Sequence, residues 1–286
     1  HHICMKIFKN FVVKLEPLLL LQKFALTIVG IVCLSCVSAY SGRLASLDKK
    51  LSEWGKELSQ QQPNPLNIEI IHFINGHYNI LFLFPACVVV VLPLINHFVF
   101  KLKVKQHLHL YINYLVVLLV ELGFTGLVIL IAKNIFNRPR PRQTLEFSLS
   151  ADRSCLSPFY QAFRVFSGPN PCNQKYVSCP SGHTSAVVSI FLATVIILRQ
   201  NYSYLKHMRH SWVFLVFQII FVVLLFVFGA SVMMARIIVQ AHFFTDVAGG
   251  ACIALVFVGF SQLLEPKFVA EQDAQDKVKL VENVYA

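Results

Sequence analysis

The 286-residue chain is poor in charge: only 14% of its residues are Asp, Glu, Lys or Arg. An average soluble domain carries about 25%, so this shortage excludes an ordinary soluble globular protein. Acids are the scarcer sign, 14 against 25 Lys and Arg, leaving a formal net charge of +11. The basic residues nevertheless flank apolar stretches instead of forming a soluble patch. That placement points to membrane-surface charge and an anionic substrate, and away from nucleic acid. The chain has no internal repeat and no long low-complexity tract, which excludes a solenoid or repeat array. Its first apolar run lacks a small-residue cleavage pattern and reads as a retained span.

What is abundant is hydrophobicity, at 56% of residues, with a mean hydropathy of +0.62. About 20 apolar residues cross a bilayer as a helix, and six runs qualify, near 24–40, 79–100, 110–132, 184–199, 211–230 and 246–264. The fourth is short unless it extends back to about Ser181. The expected fold is therefore all-α: a single polytopic membrane domain over 1–286, with six transmembrane helices. Lys6, Lys9, Lys14 and Lys23 precede the first span, Lys101, Lys103 and Lys105 follow the second, and Arg199, Lys206 and Arg209 follow the fourth. This bias places both termini in the cytoplasm, although Arg43, Lys49, Lys50 and Lys56 in the first outer loop oppose it. Alternation supplies a second constraint: the polar clusters after Ile131, before Thr184 and before Val247 all fall on one membrane face.

Outside the spans, 44–60 puts Leu44, Leu47, Leu51, Trp54 and Leu58 on one helical stripe. The stripe suits a helix lying in the outer interface or, equally, one packed on the bundle. The polar stretch 265–286 reads as a cytoplasmic tail.

Three clusters carry chemistry. The first runs from Lys133 through Arg138, Arg140-Pro141 and Arg142; single arginines here would also suit snorkelling to headgroups. The second is Pro180-Ser181-Gly182-His183, just before the fourth span. A Gly at a helix N-terminus lets backbone N–H groups approach an anion, assisted by the helix dipole. The third holds Arg236, His242 and Asp246. The last two are four apart, so on a helix they share a face within hydrogen-bonding reach.

Together these residues resemble the type 2 phosphatidic acid phosphatase (PAP2) superfamily, which also includes vanadium haloperoxidases. Its pattern is Lys-x6-Arg-Pro, then Pro-Ser-Gly-His, then Ser-Arg-x5-His-x3-Asp. Lys133 to Arg140-Pro141 fits the first part, 180–183 the second, and Arg236, His242 and Asp246 the third, with Ala235 in place of Ser. The resemblance covers about 110–264, the expected catalytic core. It implies a PAP2-like bundle and a mechanism without metal or cofactor, in which cations hold the phosphate. His242 is then the nucleophile, Asp246 orients its far ring nitrogen, and His183 serves as acid and then base. Lys133, Arg140 and Arg236, with the backbone near Ser181 and Gly182, bind the phosphate oxygens.

Within that superfamily, the stretch from Arg138 through Glu146-Phe147, Cys172, Cys179 and His242–Asp246 looks most like bacterial lipid A phosphatases of the 4′-phosphatase type. Phosphatidylglycerophosphate and undecaprenyl diphosphate phosphatases share the core. The implied partners are a phosphorylated lipid substrate and membrane lipids, with no obligate protein partner. The implied location is the bacterial inner membrane, with the site facing the periplasm. Arg138 and Arg142 are candidate headgroup ligands; Arg153, Arg164 and Lys175 would suit a second phosphate. Cys172 and Cys179 are a candidate disulfide stiffening the Pro-Ser-Gly-His turn, against free thiols as the plain alternative. His72 and His77 in the outer loop are weaker candidates for substrate contact. Glu121, twelve residues before Lys133 and so roughly 18 Å away along a helix, reads as a structural hydrogen-bonding acid. A transporter would carry ionisable groups along its spans near the midplane, and a non-catalytic scaffold would not need all six motif residues.

Overall fold

A computed structural model describes residues 27, 30, 31, 41–60, 70, 71, 73, 74, 76, 85, 90, 91, 94, 98, 104–148, 154–160, 176–205 and 211–263. Most of the expected first and second spans, His72, His77, Arg153, Arg164, Cys172, Lys175 and the tail 265–286 lie outside the described residues. Five α-helices are described: α1 (Ser41–Gln60), α2 (Val104–Phe136), α3 (Gly182–Leu205), α4 (Ser211–Ile238) and α5 (Phe244–Leu263). Among the described residues there is no strand, only an isolated bridge between Thr144 and Ser157. Three stretches are long and apolar enough to cross a membrane: Leu118–Gln143, Gly182–Arg199 and Leu215–Ile238; Phe244–Gly259 is a shorter apolar helix.

Helices α2, α3 and α4 outrun the apolar windows at the ends that carry the motif residues Lys133, His183 and Arg236. Thus α4 extends to Ile238 and contains Arg236, whereas hydropathy ends that span near 230. Helix α3 is central, packing on α2, α4 and α5. Its Val187, Ile190, Ala193 and Ile197 meet Tyr111, Tyr114 and Leu118 of α2 and Leu225 and Val232 of α4 in one core. Outer faces are apolar too: Leu119, Phe124, Leu127 and Leu130 of α2 and Ile219, Val223, Leu224 and Phe226 of α4 are exposed. A helix that is apolar all round suits lipid on its outside. Inside, Tyr114 and Thr194 hydrogen-bond at 3.0 Å, and Glu121 is buried on the same core-facing side of α2.

Each helix end has a local cause. Helix α2 stops where Asn137 adopts a left-handed conformation (φ 43°) and its N–H returns to the Lys133 carbonyl at 3.0 Å. Asn tolerates that region better than most residues, and Pro139 and Pro141 bar any continuation. Pro141 opens a single 3-10 turn, Pro141–Gln143, and the Gln143 side chain accepts the Arg140 N–H at 2.9 Å. Helix α4 ends at a left-handed Gln240 (φ 56°). The chain there folds back so that the N–H groups of Ala241 and His242 both reach the Arg236 carbonyl, at 3.0 and 3.2 Å. Helix α5 starts with Asp246 reaching back to the Phe243 N–H at 2.9 Å, the reciprocal arm of a capping box and a favourable charge at a positive dipole end.

Helix α1 docks in an unexpected orientation. Its buried positions are Asp48, Ser52 and Gly55, so the polar and small face meets the protein, against α4 and α5. Leu47 and Trp54 of the apolar stripe are exposed, while Leu44, Leu51 and Leu58 are half-buried. Gly55 is required there: a Cβ would lie 2.8 Å from the Gln240 amide nitrogen and 3.1 Å from the Ile237 carbonyl. Gln240 Nε2 in turn donates to the Ser52 carbonyl at 3.0 Å.

Candidate active site

The long connection between α2 and α3 leaves and returns at one point. The Ser178 N–H donates to the Arg138 carbonyl at 3.0 Å, which brings 176–183 beside the end of α2. Between those ends, the Leu145 N–H donates to the Ser157 carbonyl at 2.9 Å and the Ser157 N–H to the Gln143 carbonyl at 3.0 Å, and Ser157 bonds the Tyr176 hydroxyl at 2.8 Å. Phe147, Phe159 and Phe243 pack edge to face beneath it.

His242 is buried in the turn between α4 and α5. Its Nδ1 lies 2.7 Å from the Ser178 carbonyl oxygen, a contact that requires the proton on Nδ1 and leaves Nε2 as the lone-pair nitrogen. Asp246 Oδ2 is 3.8 Å from the same Nδ1, beyond hydrogen-bond distance. The expectation that Asp246 accepts directly from His242 is corrected here. His242 precedes α5, so the four-residue spacing is not helical between them, and a backbone carbonyl takes the ring proton. Asp246 instead accepts from the Ser178 hydroxyl, the Phe243 N–H and Arg138 Nη1 at 2.6 Å.

Arg138 likewise departs from expectation. It is buried between two carboxylates, bonding Asp246 and, through Nη2 at 3.0 Å, Asp48 of α1. It also donates to the Thr245 hydroxyl at 2.7 Å and sits 4.5 Å above the Phe243 ring. A guanidinium so engaged does not serve a lipid headgroup. Arg142 is exposed on the 3-10 turn, and its N–H donates to the Gln240 carbonyl at 3.2 Å.

The remaining motif residues lie within electrostatic range of one another and of the imidazole. His183 is within electrostatic range of Arg236, His242, Lys133 and Arg140; Lys133 is likewise within range of Arg140 and Arg236. His242 is held below its ordinary imidazole value by burial; Arg236 and Lys133 push the same way and Asp246 opposes them. Ser181 is committed to structure. Its N–H donates to the Asp246 carbonyl at 2.9 Å and its hydroxyl accepts from Thr184 at the start of α3. Helix geometry leaves the Gly182 and His183 N–H groups without intrahelical acceptors, whereas those of Thr184 and Ser185 go to Ser181, so the anion-binding expectation passes to the first two. Among the described residues no group of three His, Cys, Asp or Glu side chains is arranged to hold a metal ion.

The cysteines pair differently from expectation. Cys179 is a free thiol, and Cys155 is the disulfide-bonded one, its partner outside the described residues. The cause is the chain direction at 178–181, which turns the Cys179 side chain inward toward Asp246 and Arg138; burial and Asp246 push its thiol up to about 12.

Sequence reasoning did not find Asp48, Ser178 or Thr245. The Asp48 signal was present but weak: an acid spaced four and seven residues from Ser52 and Gly55, on a face flanking the leucine stripe. Ser178 acts through a backbone carbonyl and a hydroxyl, and nothing in its neighbourhood marks it.

Fold and site together define an all-helical membrane protein with a histidine and cation cluster at one end of its bundle. A family model described as PAP2 superfamily matches residues 112–270, more than half of the chain, and the chain belongs to that superfamily. Membership implies phosphatase activity in general terms. No curated protein and no solved structure matches the chain.

Proposed function

We propose that the protein is a metal-independent membrane phosphatase that removes a phosphate group from a lipid through a phosphohistidine intermediate. The observation that carries this reading is the 2.7 Å contact of His242 Nδ1 with the Ser178 carbonyl, which leaves Nε2 the nucleophile. Nε2 attacks phosphorus in line as the bond to the lipid oxygen breaks. His183 gives its proton to that oxygen, then takes one from the water that cleaves the phosphorus–nitrogen bond and releases phosphate. Lys133, Arg140 and Arg236, with the first N–H groups of α3, stabilise the equatorial oxygens; positioning and charge are most of what phosphoryl transfer needs.

The substrate we infer is lipid A, at the outer face of a bacterial inner membrane, on the likeness of the 138–179 and 242–246 stretches to lipid A 4′-phosphatases. Phosphatidylglycerophosphate and undecaprenyl diphosphate are the competing substrates. The exposed Leu47 and Trp54 support placing α1 in the outer interface, where aromatic and apolar groups sit at headgroup depth. The test is phosphate release by the purified protein from a panel of these three lipids, without added metal. Lipid A should be preferred, and His242→Ala should release none while keeping its thermal unfolding midpoint near that of the parent. Turnover by the purified variant overturns the mechanism; preference for another lipid overturns the substrate.

A further inference from the structure

We propose that Asp48 is a positioning residue for phosphoryl transfer, holding Arg138 and the start of α5 so that Asp246 and Ser178 set the aim of His242. This rests on the reading of His242 as nucleophile and goes beyond it, because Asp48 belongs to none of the three motifs and stands on a helix outside the bundle.

The contacts form a continuous series. Asp48 accepts from Arg138 Nη2 at 3.0 Å, from the Thr245 N–H at 2.9 Å and from the Thr245 hydroxyl. Arg138 Nη1 bonds Asp246 Oδ1 at 2.6 Å. The other oxygen of Asp246 accepts from Ser178 Oγ, and the carbonyl of that same Ser178 accepts from His242 Nδ1. Asp48 and Asp246 are fully buried, and the Arg138 side chain is 8% exposed, so water screens little of this assembly.

Charge counting shows what Asp48 adds. Two carboxylates share one guanidinium, so the assembly keeps a net negative charge beside Nδ1 of the imidazole. That charge favours the positive charge His242 gains as Nε2 attacks. Without Asp48, Arg138 would neutralise Asp246 alone and the site behind the nucleophile would carry no net charge. Geometry changes in the same direction: a guanidinium held at one end only is free to turn, and Asp246 with it. None of the contacts above is made by Lys133, Arg140 or Arg236, and Asp246, through which Lys133 and Arg140 feel the series, keeps its charge, so binding of the phosphate itself should be largely spared.

The experiment measures kcat, KM and the inhibition constant of inorganic phosphate for the full chain in detergent, on the lipid it hydrolyses. Asp48→Asn keeps an acceptor for the Thr245 N–H and removes the charge. Thr245→Val keeps both carboxylates and removes the hydroxyl shared by Asp48 and Arg138. We expect kcat to fall by about tenfold or more in Asp48→Asn and by a smaller factor in Thr245→Val. KM and the phosphate constant should stay within about threefold of the parent in both. Gly55→Ala, which disturbs the docking of α1 while leaving the Asp48 charge in place, supplies the comparison for a merely structural loss. If Asp48→Asn keeps the parental kcat, or loses kcat only as Gly55→Ala does, the proposal is overturned. It is equally overturned if the phosphate constant rises in step with the loss of kcat. Should Asp48→Asn fail to fold, an unchanged kcat in Thr245→Val overturns it. A parent protein that is active, with His242→Ala inactive, shows such a failure to belong to Asp48 alone; an inactive parent removes the phosphatase reading and this proposal with it.

Discussion

At the scale of single residues, the decisive feature is the protonation state imposed on His242. Burial holds its pKa below the ordinary value, so the ring is neutral where a free imidazole, near 6.5, would be half protonated. Activity that depends on neutral His242 should therefore hold as pH falls to about 6.5 and decline only below it. A pH profile of kcat/KM with its acid limb centred at or above that value would contradict this. The sign for stability agrees: the unfolded chain takes up this proton before the folded one does, so His242 makes stability fall as pH drops below about 6.5. Arg138 supplies a second prediction. Removing one partner from a buried ion pair typically costs about 3–5 kcal/mol, and Arg138 serves two carboxylates. Arg138→Ala should lose stability on that order in denaturant unfolding. Arg142→Ala, at an exposed position, should stay within about 0.5 kcal/mol. Equal effects would show that Arg138 is not the buried hub described above.

At the scale of elements, the site depends on how closely α5 approaches the turn before α3. A Cβ on Gly250 would lie 2.3 Å from the Ser181 carbonyl oxygen, whereas one on Gly249 meets nothing nearer than a Pro180 carbon at 3.7 Å. In a helix interior Gly→Ala ordinarily gains up to about 1 kcal/mol, so Gly249→Ala should be neutral or stabilising and keep activity. Gly250→Ala must push Ser181 off the Asp246 carbonyl and should cost about 1–3 kcal/mol, with most of kcat. Thermal midpoints and turnover of the two variants check this directly; a harmless Gly250→Ala would mean that the turn yields freely. Both ends of α5, the start of α3 and the start of α4 were legible in the chain within two residues, whereas α3 and α4 run six and eight residues past the apolar runs. Prolines, Asn137 and the capping Asp246 act locally. The orientation of α1 was not legible, because an amphipathic pattern says that two faces differ but not which one finds a protein partner. Leu47 and Trp54 face outward here because Asp48 has a buried guanidinium to meet and Gly55 permits contact with the α4–α5 turn.

At the scale of the whole molecule, α1, the end of α2, the starts of α3 and α5 and the end of α4 gather at one end of the bundle, while Arg199 lies toward the other end of α3. If the proposed orientation holds, a cysteine at Lys49 should react with a membrane-impermeant maleimide from outside intact cells. One at Arg199 should react only after permeabilisation. The reverse pattern would put the site on the cytoplasmic face.

What the sequence alone determined follows from short-range properties. Apolar runs long enough for a bilayer, charges placed at their ends, and motifs whose residues stand a few positions apart are properties of neighbouring side chains. The membrane class, three of the spans and the motif residues that mark the family were readable on that ground. Only the tertiary structure decided how those residues work together. Asp48 and Arg138 are 90 positions apart, and Asp48 and Thr245 are 197 apart. The group that accepts the His242 proton is a peptide carbonyl, which every residue possesses. Spacing along the chain cannot identify a carbonyl or a distant carboxylate; packing does, because a buried charge or ring N–H must find its partner wherever the fold brings one within reach.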